Sequence, residues 1–176
     1  MLTSDQIRKL FHALNDELKN AGELGEVGIV GGSVMCLVYN CRTSTRDVDA
    51  VFEPASTIRK LVAKVGLRVG VEPDWLNDAV KGFLEGEFKR IPVLNLSNLR
   101  VWAPEPRYML AMKCLSARWD SHDREDVIFL IRLLEIAEPK QVFDIIEGYY
   151  PKHRILPKTQ FFIEEILDRP RKKKKK

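Results

Sequence analysis

Two carboxylates separated by a single valine stand in the run Arg46-Asp47-Val48-Asp49-Ala50-Val51-Phe52. Polar and apolar residues alternate there, as they do in a half-buried strand. In a strand, positions i and i+2 project from the same face, so Asp47 and Asp49 are expected side by side. Two neighbouring carboxylates repel, and burying them unpaired is costly. A divalent cation removes that conflict. Mg²⁺ prefers oxygen ligands and is commonly held by one or two carboxylates together with substrate phosphates. The alternative is a strand whose acids face solvent, paired with Arg42 or Arg46.

Upstream, the short apolar run Glu26-Val27-Gly28-Ile29-Val30 ends in Gly31-Gly32-Ser33. Glycines let the backbone turn tightly and let a ligand approach its N–H groups. A helix starting at that turn would aim its positive end at the same place, which suits an anion such as phosphate. A Gly-Gly turn can equally be structural. A third group follows the predicted sheet: Lys113, Arg118, Asp123 and Asp126. Lysine offers a point charge and arginine a fork for phosphate oxygens. Asp123 and Asp126, three apart, share a helix face. They could orient Arg118 or an acceptor, or simply favour the helix dipole.

Gly32-Ser33, thirteen residues, then Asp47-Val48-Asp49-Ala50 resembles the signature of the polymerase-beta-type nucleotidyltransferase superfamily. The segment from Met109 to Leu134 resembles the helical part of abortive-infection (AbiEii-like) minimal nucleotidyltransferases of toxin-antitoxin systems, at Lys113, Arg118, His122, Asp123 and Asp126. The likeness extends over about residues 26 to 136. It implies a small nucleotidyltransferase sheet and Mg²⁺-dependent transfer of an NMP from an NTP. Asp47, Asp49 and Lys113 would be catalytic, with Mg²⁺ on the two aspartates. Gly31, Gly32, Ser33, Arg46, Lys113 and Arg118 would bind nucleotide, with Asn77, Asn95, Asp123 and Asp126 in support. The acceptor would be RNA such as tRNA, a protein or a small molecule, and a toxin or antitoxin could be a partner. Many members carry a third carboxylate on a later strand. Here Ile91 to Ala103 holds no acid, and Asn95 stands where one is expected; Glu72, Asp74 or Asp78 are substitutes. Without a third acid, a nucleotide-binding or protein-interaction module of the same fold is the competing function.

The elements that would position these groups are legible from periodicity. Ile7, Leu10, Phe11, Leu14 and Leu18 recur at helical spacing, behind a Thr3/Gln6 capping box. The spacing predicts helices over 4–20, from the glycine turn to Asn40, over 55–66 and over 73–84. Strands are expected over 26–30 and 46–52, with two more within 91–103 around Ser97-Asn98. Helices then follow at about 105–118, 121–137, 139–149 and 158–168. The expectation is a mixed α/β (α+β) fold with a C-terminal helical bundle. It divides as 1–103 for the core, 104–168 for the helices and 169–176 for a basic tail.

Composition sets outer bounds. Apolar residues make up 45% and charged residues 31% of the chain, enough for a real core. The formal net charge is +4, yet the last eight residues alone carry seven positive charges. The rest is net acidic, so a nucleic-acid reading would rest on the tail. No run reaches membrane-span length, and the N-terminus lacks the pattern of a secretion signal, so a cytoplasmic location without membrane contact is expected. Cys36, Cys41 and Cys114 have no zinc-like spacing and read as reduced thiols.

Overall fold

The computed structural model describes residues 1–116 and 122–168. The chain opens with a two-residue strand, β1 (Leu2–Thr3), and an amphipathic helix, α1 (Ser4–Ala21). Thr3 and Gln6 form the expected capping box, and Gly22 closes the helix at φ 69°. The buried stripe is the predicted one: Ile7, Leu10, Phe11, Leu14 and Leu18. Then come β2 (Gly25–Ile29), the short α2 (Gly32–Leu37), β3 (Ser44–Thr45) and β4 (Val48–Glu53). α3 (Ala55–Val69) and the short β5 (Leu76–Asn77) follow. β6 (Arg90–Asn95) and β7 (Leu99–Pro104) complete the sheet. The helices α4 (Pro106–Ser116), α5 (Asp123–Leu133), α6 (Pro139–Glu147) and α7 (Pro157–Asp168) end the described chain. The fold is mixed α/β, as expected.

Two compact units emerge. The first comprises Met1–Leu84 with Lys89–Glu105; the second comprises Glu85–Phe88 with the chain from Pro106. In the first unit the five-stranded sheet runs β5-β4-β2-β7-β6, and β1 pairs separately with β3. β2 is antiparallel to β4 and parallel to β7. Val27 and Ile29 on β2, with Val48, Ala50 and Phe52 on β4, form the buried side. α1 and α3 close down on it so tightly that a Cβ at Gly25 would lie 2.8 Å from Leu18 and 3.3 Å from Ile58. Each such fully buried aliphatic contributes roughly 1.5–3 kcal/mol. The buried Glu17 of α1 receives both Lys64 and Arg68 of α3 at 2.6 Å. That clamp fixes how the two helices cross the sheet.

Three predicted elements differ. α3 runs through Gly66 to a left-handed Gly70 (φ 79°). Gly66 is buried, and a Cβ there would meet the Glu72 carbonyl oxygen at 2.8 Å, so it is a packing glycine. The helix expected over 73–84 is instead β5 and a 3-10 turn, Ala79–Phe83. Trp75 decides this: its ring is buried against Phe11, and its Nε1–H donates to Val62 O, which draws the segment alongside β4. The helix expected to reach Asn40 stops at Leu37.

The second unit is held by apolar residues of its four helices, among them Met109, Leu110, Val127, Leu130, Ile146 and Ile163. Glu85–Phe88 joins it through Tyr108, whose hydroxyl accepts from Glu85 N–H and donates to Glu85 O. Tyr150 donates to the same hydroxyl, and burial together with that bond pushes its own titration upward. No helix among the described residues is long and apolar enough to cross a membrane.

Candidate active site

The turn after β2 is keyed to β4. Val30 N–H donates to Asp49 O at 2.9 Å, continuing the pairing of Ile29 with Ala50. Gly31 then sits at φ 66°, ψ −138°, a left-handed conformation that glycine tolerates and other residues resist. A Cβ at Gly31 would stand 3.4 Å from Asp49 Oδ2, so the carboxylate lies directly against the turn. Gly32 is required for a different reason. A Cβ there would meet Thr45 Oγ1 at 2.7 Å and the Arg42 guanidinium at 3.3 Å. Ser33 is buried, and its hydroxyl donates to Val30 O at 2.7 Å, so it braces the turn from within. α2 has six residues, anchored by buried Val34, Met35, Cys36 and Leu37. At that length its dipole adds little, and an anion at this place would depend mainly on the half-buried backbone of the two glycines.

The strand predicted over 46–52 starts two residues later. Asp47 occupies the bend before β4, and Asp49 is the second residue of the strand. Both are half-buried, while Val48 between them is buried. Asp47 makes no ion pair among the described residues. The structure thus brings Gly31, Gly32, Ser33 and Asp49 together, with Asp47 two residues before Asp49 in the bend that leads into β4. Arg46 is exposed, whereas Arg42, which the sequence suggested only as a salt-bridge partner, is the cation against Gly32. Burial pushes the Cys36 thiol upward, against smaller lowering effects of a backbone hydrogen bond at Ser4 and of the Arg42 charge.

The supporting asparagines exchange places. Asn77 is the register partner of Asp49 on parallel β5, so it occupies the strand position beside the acids. Its Oδ1 accepts from Ala79 N–H at 3.1 Å. Asn95, expected in that role, lies on β6, three strand spacings from β4, roughly 14 Å away. Its register partner is Arg100, which in turn pairs with Glu26 and so marks the far end of the sheet. There it lines a separate cavity of about 520 Å³ with Leu24, Asn98 and Arg100. The sheet's edge order, not visible in the sequence, corrects this expectation. Asp78, a candidate third acid, follows β5 and pairs with Arg59 at 2.6 Å.

In the second unit, Lys113 is 5% exposed, and its ammonium lies 2.8 Å from both Asp123 and Asp126. Asp126 is itself 1% exposed. One cation therefore satisfies two carboxylates across the α4–α5 connection. Arg118, expected at the nucleotide, lies outside the described residues.

A half-buried carboxylate pair against a glycine backbone turn is a donor set that fits Mg²⁺, which takes one or two carboxylates and completes its shell with phosphate and water. No cluster of three or more His, Cys, Asp or Glu placed to hold a metal occurs among the described residues. A family model described as a nucleotidyltransferase of unknown function (DUF6036) matches residues 5–136. The chain belongs to that nucleotidyltransferase family. Its aligned span covers the sheet, the glycine turn, both aspartates and the Lys113 cluster. No curated protein and no solved structure matches the chain. Family membership supports the nucleotidyltransferase superfamily at the level of fold and class.

Proposed function

We propose that the protein is a Mg²⁺-dependent nucleotidyltransferase that moves an NMP from an NTP to an acceptor hydroxyl. The observation that carries this reading is the contact between the Asp49 carboxylate and the positive-φ turn at Gly31. It supports the reading because a carboxylate that could take a metal and a backbone turn that could take phosphate lie side by side. Asp47 and Asp49 would hold Mg²⁺, which when bound supplies charge neutralisation to the triphosphate and acidity to the attacking hydroxyl. Backbone N–H groups of the turn orient the β- and γ-phosphates, and Arg42 adds a guanidinium at the same spot. The acceptor oxygen forms its bond to the α-phosphorus as the bond to the β-phosphate oxygen breaks, and pyrophosphate departs. The hydroxyl proton passes to water, because Asn77 beside Asp49 is no base at neutral pH.

RNA such as tRNA, a protein or a small molecule could accept the NMP. A toxin-antitoxin role in the cytoplasm, with a protein partner, rests on the likeness of the Lys113–Asp126 segment to the abortive-infection pattern. The deciding experiment measures Mg²⁺-dependent pyrophosphate release from each NTP, with total tRNA and with a small-molecule extract as acceptors. Turnover that disappears in Asp47→Asn and Asp49→Asn is the expected result. Asn77 in place of an acid favours a second reading, a nucleotide-binding module without catalysis. It predicts Mg²⁺-NTP binding with no turnover by the wild-type protein.

A further inference from the structure

The two-residue strand β3 carries a buried hydroxyl that no part of the fold uses. Thr45 is 7% exposed, yet its side chain makes no hydrogen bond among the described residues. Its Oγ1 lies 2.7 Å from the place a Cβ would take on Gly32, and its own Cβ lies 3.5 Å from the same place. The hydroxyl is therefore packed against the backbone of the glycine turn. Two charged groups also reach that turn, the Arg42 guanidinium at Gly32 and the Asp49 carboxylate at Gly31, and each of them has interactions of its own. Ser33, the other hydroxyl of the turn, is committed to Val30 O.

Thr45 is held in place by the start of the chain. β3 pairs antiparallel with β1, with Thr45 opposite Leu2 and Ser44 opposite Thr3. Leu2 is buried, and Thr3 caps α1, so β3 is tied to the first turn of a helix that packs on the sheet. Threonine is branched at Cβ, which leaves its χ1 few choices. Burying a hydroxyl without a partner is unfavourable, and an apolar side chain of the same shape fills the same space without that penalty. Stability alone thus favours valine at this position. A polar group kept against that preference beside a glycine turn has the character of a binding group.

We infer that Thr45 is a substrate-binding residue: its hydroxyl donates to an oxygen of the β- or γ-phosphate seated at the Gly31–Gly32 turn. This rests on the nucleotidyl-transfer reading and adds a neutral donor to its site. A hydroxyl bonded to a phosphate oxygen makes a short, charge-assisted bond. The backbone N–H groups of the turn attract any anion, whereas a side-chain donor with a fixed χ1 adds a direction. Because the donor carries no charge, salt screens its contribution less than that of a guanidinium. No proton is transferred, and the hydroxyl is unchanged by the reaction. The same contact accounts for Gly32, since a methyl group there would push against the Thr45 hydroxyl.

The test titrates the full chain with Mg²⁺-pyrophosphate, the leaving group itself, in a calorimeter. Thr45→Val keeps the shape and removes the hydroxyl; Thr45→Ser keeps the hydroxyl and removes the methyl group. Thr45→Val should weaken pyrophosphate binding about tenfold, the scale of one hydrogen bond to a charged oxygen. Thr45→Ser should bind nearly as the wild type does. The denaturation midpoint of Thr45→Val should stay level or rise, which a structural role for the hydroxyl would not give. Wild-type affinity in Thr45→Val, equal losses in both variants, or a loss that comes with a lowered midpoint overturns the assignment of Thr45. If one of these occurs while the wild type still releases pyrophosphate from an NTP, the transferase reading stands without Thr45. A tenfold loss in Thr45→Val alone, with no turnover of any NTP by the wild type, supports Thr45 as a phosphate ligand and overturns the transfer reaction. No pyrophosphate binding by the wild type overturns both.

Discussion

Two pairs of aspartates in this protein are built from the same side chain and end in different surroundings. Asp123 and Asp126 close around Lys113, with both oxygens at 2.8 Å from one ammonium and with Asp126 fully buried. Asp47 and Asp49 stay half-buried beside a glycine turn, and Asp47 has no ion-pair partner among the described residues. The first pair is completed by the protein's own cation. The second is the pair that the proposed reaction assigns to Mg²⁺ and a triphosphate. Close acids thus sit in two settings here, one packed around a buried ammonium and one against a glycine backbone turn.

The sharpest way to break that contrast is to remove charge from each pair and read activity and stability separately. Asp47→Asn or Asp49→Asn should reduce pyrophosphate release about 10³-fold, the scale of losing a preorganised electrostatic group at the reacting phosphate. Asp47→Asn should shift stability by no more than about 0.5 kcal/mol, because Asp47 holds no structural partner. The reverse balance applies in the helical unit. Asp126→Ala should destabilise by about 3 kcal/mol in chemical denaturation, because it leaves a buried ammonium short of a counter-charge. Lys113→Met combined with Asp126→Leu should recover part of that loss, since the buried ammonium and Asp126 are both gone and only the partly exposed Asp123 loses its contact with Lys113. If Asp126→Ala leaves stability unchanged, the closed pair is not a structural clamp and the contrast fails.

Much of this contrast was legible in the sequence. The spacing of Gly31, Gly32, Asp47 and Asp49 carried both the turn and the acid pair, because each depends on local backbone geometry. The amphipathic stripe of α1 was legible for the same reason. What failed depended on distant partners. Both Asn77 and Asn95 were candidates in the sequence, and that Asn77 is the one beside Asp49 is a consequence of strand order. Pro73, Asp74 and Leu76 look helical until Trp75 is seen buried against Phe11. Lys113 read as a phosphate ligand because nothing local reveals that two aspartates ten and thirteen residues later face it.

A smaller effect tests whether the open face depends on the same glycine logic as the turn. Gly28→Ala puts a methyl group into the indole of Trp102. The ring cannot be displaced without losing its bond to Glu26 and its stacking with Arg90. Overpacking of this kind costs about 1–3 kcal/mol. A thermal melt should report that loss, together with a red-shifted Trp102 emission. Gly22→Ala is the control: no atom lies within 4 Å of a Cβ there, so only the backbone strain of its φ of 69° is added, and Trp102 emission should not move.

The finest distinction lies between two arginines near the acid pair. Sequence adjacency favours Arg46, which immediately precedes Asp47 but is exposed. Geometry favours Arg42, whose guanidinium lies against Gly32 and is half-buried. Burial matters because a cation in a partly desolvated place attracts phosphate more strongly than one screened by water. Arg42→Ala should therefore weaken Mg²⁺-NTP binding roughly tenfold, in line with a charge-assisted hydrogen bond of about 1.5 kcal/mol. Arg46→Ala should change it less than about twofold. Titration calorimetry at two salt concentrations separates them further, since any contribution from Arg46 should fade at high salt while that of Arg42 persists. Equal losses for both variants would mean that the phosphate approaches from the exposed side of the bend, and the turn at Gly31–Gly32 would lose its claim to the triphosphate.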